Sequence, residues 1–287
     1  MPFTAASVQF SSKMGDVEHN LTRVAEIIQQ CASESVELTV FPECCLSGYV
    51  IEGAALECAI SVEELLTRLL AKLDPVPDMD VVIGFFELAD GRPYNSAAYI
   101  DLRAGKVISV HRKFFLPTYG VFDESRFAQA GLEAEVFDTR FGRFGMLICE
   151  DVWHSILPTI QAVQGAQMVL VPVASPARGF DGDAPGNVDR YARMLKNVSD
   201  EHGMYSLSAC HVGFEGGKGL AGAGFIFDPY GRMLAQSPVL GESVIVAEVD
   251  FDLVSAARAA SPLLTDLRSR WARVQELAQK PADDPEV

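Results

Sequence analysis

Two periods of apolar residues run along the chain, and the places where one gives way to the other mark its elements. From Val17 to Ser33, the residues Leu21, Val24, Ile27, Ile28 and Cys31 recur at three- and four-residue steps, which predicts an amphipathic helix. Residues 1–10 before it and 38–41 after it are short apolar runs of strand character, the second ending at Pro42-Glu43. Ser61 opens another helix, with Glu64 three residues on as a capping box, and the pattern carries it through Leu73. Strand-like runs follow at 81–86, 97–101 and 107–112, separated by the turn signals Asp90-Gly91 and Ala104-Gly105. Residues 144–148 read as a buried strand running into Cys149. A helix over 155–165 and the strand Met168–Val173 come next. Residues 174–186 form a Gly-, Pro- and Asp-rich loop, and 188–202 return to helical period. Strands are predicted at 204–211, 224–227 and 244–249, with Pro229-Tyr230-Gly231 as a tight turn, and the chain is helical from Leu253. No linker, repeat or low-complexity tract interrupts the alternation. One α/β domain is predicted over 1–279, followed by a flexible polar tail at 280–287.

Composition narrows the classes. With 49% hydrophobic and 22% charged residues, the chain has globular rather than disordered character. A net charge of -16 argues against non-specific nucleic-acid binding and against attachment to anionic lipid; solubility is its plain reading. The first ten residues carry neither a basic segment nor an apolar core of secretory type, and no run approaches the ~18 apolar residues of a membrane span. Six cysteines (Cys31, Cys44, Cys45, Cys58, Cys149 and Cys210) form no zinc knuckle, and reduced thiols in a cytoplasmic protein are expected. Asp181 and Asp183 flank Gly182 without the carboxylate register of a calcium loop, so they are read as plain loop. No metal site is expected. Gly213–Gly219 matches no phosphate-binding loop, which leaves ATP chemistry unsupported.

Three strand ends each deliver one side chain of chemical interest. Glu43 follows Leu-Thr-Val-Phe-Pro, Lys113 follows Ile-Ser-Val-His-Arg, and Cys149 follows Phe-Gly-Met-Leu-Ile. Ligands of open α/β folds gather beyond the carboxyl ends of strands, so these exits can converge on one pocket. Taken singly, each has a duller explanation: a small buried hydrophobe, a solvated loop carboxylate, a surface charge. Together they supply a nucleophile, a base to take its proton and an ammonium to stabilise charge, without any histidine. Cys149 sits between an apolar strand and a helix start, where a thiolate is favoured. His154, five residues on, is read as a polar helix-entry residue rather than a catalytic partner. Phe114, Phe115, Tyr119 and Trp153 are expected to wall the pocket, although core packing accounts equally well for Phe114 and Phe115.

At these residues the sequence resembles a known family. Phe41-Pro42-Glu43 with Leu46-Ser47-Gly48-Tyr49 resembles the glutamate motif of the nitrilase, or carbon–nitrogen hydrolase, superfamily. His111-Arg112-Lys113 with Leu116-Pro117 resembles its lysine motif, and Gly145 through Trp153 its cysteine motif. All three occur in family order over nearly the whole chain. Tyr119 to Glu124 and Ile148 to Trp153 are most similar to the glutaminase domain of glutamine-dependent NAD synthetases. The synthetase's pyrophosphate loop is absent, so a stand-alone amidase is expected.

The resemblance implies a four-layer α-β-β-α sandwich with two mixed β-sheets between helix layers. It implies Glu43 as general base, Lys113 as electrostatic stabiliser and Cys149 as nucleophile, acting on a small amide without a cofactor. Glu124 is implied as a supporting glutamate, with the neighbouring Asp123 as the alternative, and the Glu150 N–H as an oxyanion donor. Tyr119, Trp153, Ser175 and Arg178 fall on the substrate side, where Arg178 could pair with a substrate carboxylate. Residues 173–178 keep only the Ser-Pro of the family's pattern there and lack its usual Asn. A homodimer or larger homo-oligomer is also implied. The same triad would serve a nitrile, an N-carbamoyl amine or acyl transfer, and a non-catalytic or ammonia-supplying partner of a separate synthetase is the rival of another class.

Overall fold

The computed structural model describes residues 1–182 and 184–280. Asp183 of the expected Asp181–Asp183 loop, and residues 281–287 of the expected tail, lie outside the described residues.

The strands read as unbroken apolar runs because they are buried on both faces. Successive residues alternate between two cores. Phe3 and Ala5 join one, while Ala6, Val8 and Phe10 join the other. Val82, Ala97 and Tyr99 face the first, and Val81, Ile83, Ala98 and Ile100 the second. The first core lies between two mixed six-stranded sheets. In spatial order one sheet runs Ser243–Val249, Phe3–Gln9, Leu38–Val40, Asp80–Ala89, Arg92–Asp101, Lys106–Arg112. Its middle pairings are parallel and its outer ones antiparallel. The other runs Met233–Gln236, Phe225–Phe227, Tyr205–Cys210, Met168–Val173, Arg143–Met146, Phe137–Asp138, with the same arrangement of parallel centre and antiparallel edges.

Helices close the sandwich. Val17–Ser33 and Val62–Leu70 cover the outer face of the first sheet with Leu21, Val24, Ile28, Leu65 and Leu69. Ser61 caps the shorter one by accepting the Glu64 N–H at 3.1 Å. Ile156–Gln164 and Gly186–His202 cover the second sheet, and Leu263–Ala278 packs across both of them. The expected four-layer α-β-β-α sandwich is the architecture observed. Among the described residues no helix is long and apolar enough to cross a membrane.

Several boundaries differ from the sequence pattern. The strand expected at 97–101 begins at Arg92, since Asp90 and Gly91, with φ of 49° and 71°, close a tight hairpin that pairs Ala89 with Arg92. Polar Arg92 and Asn95 had masked it. The helix opened by Ser61 stops at Leu70 rather than Leu73, ahead of Pro75, which cannot continue a helix. Ser261-Pro262 divides the C-terminal helical region into Phe251–Ala260 and Leu263–Ala278. The short hairpin Gly213–Glu215 with Lys218–Leu220 left no periodic signal.

One close approach sets the position of Glu43. Gly84 lies in the Asp80–Ala89 strand, and a Cβ there would stand 2.2 Å from the Pro42 carbonyl oxygen and 2.8 Å from Glu43 Cα. Only glycine lets the turn after Leu38–Val40 lie on its neighbouring strand. Gly84→Ala is expected to cost about 1–3 kcal/mol, the usual range for overpacking. A urea midpoint equal to that of the unaltered protein would show that the turn can retreat freely.

Candidate active site

Glu43, Lys113 and Cys149 leave their strands at the same end of the sandwich and meet in its interior. Ladder bonds fix each exit: Phe41 N–H donates to Val82 O at 2.8 Å, Lys113 N–H to Asn95 O at 2.8 Å, and Leu147 N–H to Leu170 O at 3.0 Å. Lys113 is fully buried, and its Nζ donates to Glu43 Oε1 and to Glu124 Oε2, both at 2.7 Å. Asn95 Nδ2 donates to Glu43 Oε1 at 2.7 Å and also to Glu124 Oε1. The Tyr49 hydroxyl donates to Glu124 Oε2 at 3.2 Å. Glu43 Oε2 accepts the Ala174 N–H at 2.6 Å, and Cys149 Sγ lies 3.8 Å from the carbonyl oxygen of that same residue. Glu43 and Cys149 thus meet at Ala174. Between the two acidic alternatives, Glu124 is buried against Lys113, while Asp123 points outward toward Arg126 at 3.8 Å.

The charges do not balance. Two carboxylates share one ammonium in a space closed to water. Burial alone would push the Lys113 ammonium down, but Glu124 and Glu43 outweigh it and hold its pKa well above the usual lysine value. Burial raises Glu124, with Lys113 pulling it back and Glu43 pushing it further. The Cys149 thiol is raised well above its ordinary value by burial first and by Glu43 second, against the pull of Lys113. Burial and Glu43 thus work against the thiolate that the position between a strand and a helix start favours. The element that begins at Cys149 is a five-residue 3₁₀ turn, Cys149–Trp153, too short to offset burial through its dipole. Cys149 itself has φ of 47°, a left-handed conformation that a side chain makes costly.

Beneath the turn, Asp151 ties nucleophile to lysine. Its Oδ1 accepts the N–H groups of Phe114 at 3.0 Å and Phe115 at 2.8 Å. Its Oδ2 accepts Ile148 N–H at 3.0 Å and faces His111 Nε2 at 2.8 Å. On the far side, His211 Nε2 lies 3.1 Å from Glu215 Oε1 and 3.2 Å from the Ser12 nitrogen, and its Nδ1 faces the Glu43 carbonyl oxygen at 3.3 Å. Glu215 accepts the N–H groups of Tyr49 and Val50 at 2.8 and 3.0 Å and so anchors the loop after Glu43. Sequence reasoning missed Asn95, Asp151, Tyr191, His211 and Glu215 as site residues. Only Asp151 carried a signal, as a carboxylate two residues past Cys149 within the cysteine motif.

The other sequence-derived residues gather nearby. The Arg178 guanidinium carbon lies 5.6, 5.0 and 5.2 Å from the ring centroids of Tyr119, Phe122 and Trp153. Tyr119 donates to Glu150 Oε2 at 2.8 Å. Ser175 is buried, and its Oγ accepts from Asn187 Nδ2 at 2.9 Å. A cavity of about 200 Å³ opens beside Tyr49 and Glu124, walled by Phe86, Phe122 and Phe127 with Lys218 at its rim. Cys149 does not line it, nor do the expected substrate-side residues Tyr119, Trp153, Ser175 and Arg178; of the cluster around Lys113, Tyr49 and Glu124 do. Phe114 and Phe115 do not line it either and pack on the inter-sheet core, with His154 stacked on Phe115 at 3.7 Å.

Residues 4–259 match the family described as carbon-nitrogen hydrolase. The chain is 29% identical over 253 residues to the glutamine-dependent NAD(+) synthetase of Acinetobacter baylyi, covering 87% of this chain and 44% of that protein. It therefore spans less than half the length of that relative. To an (R)-stereoselective amidase of a Pseudomonas species it is 30% identical over 265 residues, covering 91% of this chain and 90% of the amidase. The crystal structure of a carbon-nitrogen hydrolase from Helicobacter pylori G27 shares the fold, with a TM-score of 0.87 at 21% identity over 98% of this chain and 100% of that one.

Asp151→Asn would turn an amide N–H₂ toward groups that now donate to the carboxylate. Loss of one partner in a buried charged network typically costs about 3–5 kcal/mol, and destabilisation of that order is expected in urea unfolding. A change below about 1 kcal/mol, the scale of an exposed pair, would show that Asp151 is not the tie described.

Proposed function

The chain belongs to the carbon–nitrogen hydrolase family, and from that premise we propose that it hydrolyses a small non-peptide amide through a thioester on Cys149. The observation that carries this reading is the closed cluster of Lys113 between Glu43 and Glu124, set beside a cysteine held in a left-handed turn. Burial and Glu43 disfavour a resting thiolate, so attack begins with transfer of the thiol proton to Glu43. Sγ then bonds to the substrate carbonyl carbon, and the oxygen that becomes negative is held by Lys113 and the Glu150 N–H. That N–H lies at the start of the turn, where leading amides have no partner within the helix. The C–N bond breaks as Glu43 passes the proton to the departing amine. In the second half, Glu43 takes a proton from water, the hydroxyl adds to the thioester, and Sγ leaves with that proton restored. Glu124 and Asn95 keep Lys113 and Glu43 in register throughout.

The cavity's size and mixed lining support a small, partly polar amide, and the synthetase relatives make glutamine the first to try. Arg178, framed by three rings, is proposed to pair with a substrate carboxylate. Arg178→Ala is then expected to raise KM for glutamine while leaving an uncharged amide such as propionamide unaffected. Equal effects on both would remove Arg178 from the site.

The roles of the two charged partners separate in one assay. With a pre-activated ester at a pH high enough to ionise the thiol without a base, Glu43→Gln is expected to acylate Cys149 and then stall, giving an acyl adduct in the intact-protein mass. Lys113→Met should acylate slowly from the outset, by about 10²–10³ if it behaves like other oxyanion donors. Cys149→Ala should give no adduct and no hydrolysis. Rapid acylation of the lysine variant together with normal turnover of the glutamine variant would show both roles to be wrong.

A further inference from the structure

Tyr191 sits in the second turn of the Gly186–His202 helix, on the face that also buries Asn187, Leu195 and Val198. Four-residue spacing explains why this side chain points inward. It does not explain a phenol there, since a buried hydroxyl needs a partner. The partner is the sulfur of the nucleophile: the Tyr191 oxygen lies 3.1 Å from Cys149 Sγ, and the residue is 5% exposed. Trp153 stands edge-on to the Tyr191 ring, with centroids 5.4 Å apart and planes at 79°. Its Nε1 is buried with no hydrogen-bond partner among the described residues.

With a neutral thiol, either group can donate. A thiolate only accepts, so once Glu43 has taken the proton the phenol must donate to sulfur, a charge-assisted bond stronger than the neutral one. We propose that Tyr191 is a further catalytic residue, whose O–H stabilises the Cys149 thiolate both before attack and when sulfur departs from the thioester. The proposal rests on the reading of Cys149 as nucleophile. The other groups facing the sulfur are the charged Glu43, Lys113 and Glu124 and the phenol of Tyr49. Of these, Glu43 and Glu124 oppose a thiolate, so Lys113 and Tyr191 are the groups that favour it.

The test needs no knowledge of the substrate. The full chain and its Tyr191→Phe variant are alkylated with iodoacetamide across pH, and modification of Cys149 is followed by peptide mass spectrometry. Removing a donor to the charged form raises the thiol's apparent pKa. The pH–rate curve of the variant should therefore move upward by roughly one unit, about a ten-fold slower reaction at pH 8, with the curves converging at high pH. Replacement of Tyr191 by 3,5-difluorotyrosine, a stronger donor of similar shape, should move the curve the other way. Superimposable curves for all three proteins would reduce Tyr191 to packing and overturn the inference. Failure of the underlying reading looks different: wild-type Cys149 would form no acyl adduct with any amide or ester, whatever the three curves do.

Discussion

A lysine ammonium stripped of water and shared between two carboxylates is the constraint on which the site depends. Each ion's transfer into the interior costs several kcal/mol, which only close partners offset. Lys113 meets that condition with two carboxylate oxygens at 2.7 Å, and Asn95 and the Ala174 N–H supply neutral donors for lone pairs that the lysine leaves open. Removing Lys113 would strand both carboxylates, whereas removing either carboxylate would leave a neutral pair. The surplus negative charge has a chemical effect as well: after burial itself, Glu43 is what pushes the neighbouring thiol up, against the pull of Lys113.

The groups that meet here come from opposite sheets. Glu43, Asn95 and Lys113 hang from strands of one sheet, and Cys149 and Ala174 from strands of the other. The spacing between base and nucleophile is therefore set by the thickness of the core between the sheets, where Phe3, Tyr99, Phe144 and Leu170 pack. Such interiors are packed like crystals and transmit small changes in volume. Substitutions far from Cys149 that thin or swell this layer would reach the chemistry through alignment, to which reaction rates are steeply sensitive.

Much of this was legible in the chain. Period-two and period-3.6 patterns located most strands and helices, because each element buries an apolar face and the pattern records which one. The strand starting at Arg92 was hidden by its polar residues, and one of them, Asn95, turns inward to bridge Glu43 and Glu124. The triad was legible because reactive side chains directly follow apolar strands. Asn95, His211 and Glu215 were not, for they act through contacts distant in sequence: Glu215 reaches Tyr49 and Val50 across more than 160 positions. Neither was the protonation of Cys149, since local context favours a thiolate and only the assembled interior reveals how thoroughly burial and Glu43 reverse that preference.

The left-handed backbone at Cys149 sets strain against packing at a single position. Glycine is the residue that such a φ tolerates without strain, yet glycine there would empty a buried site and take away the sulfur that the Tyr191 hydroxyl faces. Relief of the backbone at this position therefore comes only with a loosened interior, and a screen for heat resistance alone would not by itself favour replacing the cysteine.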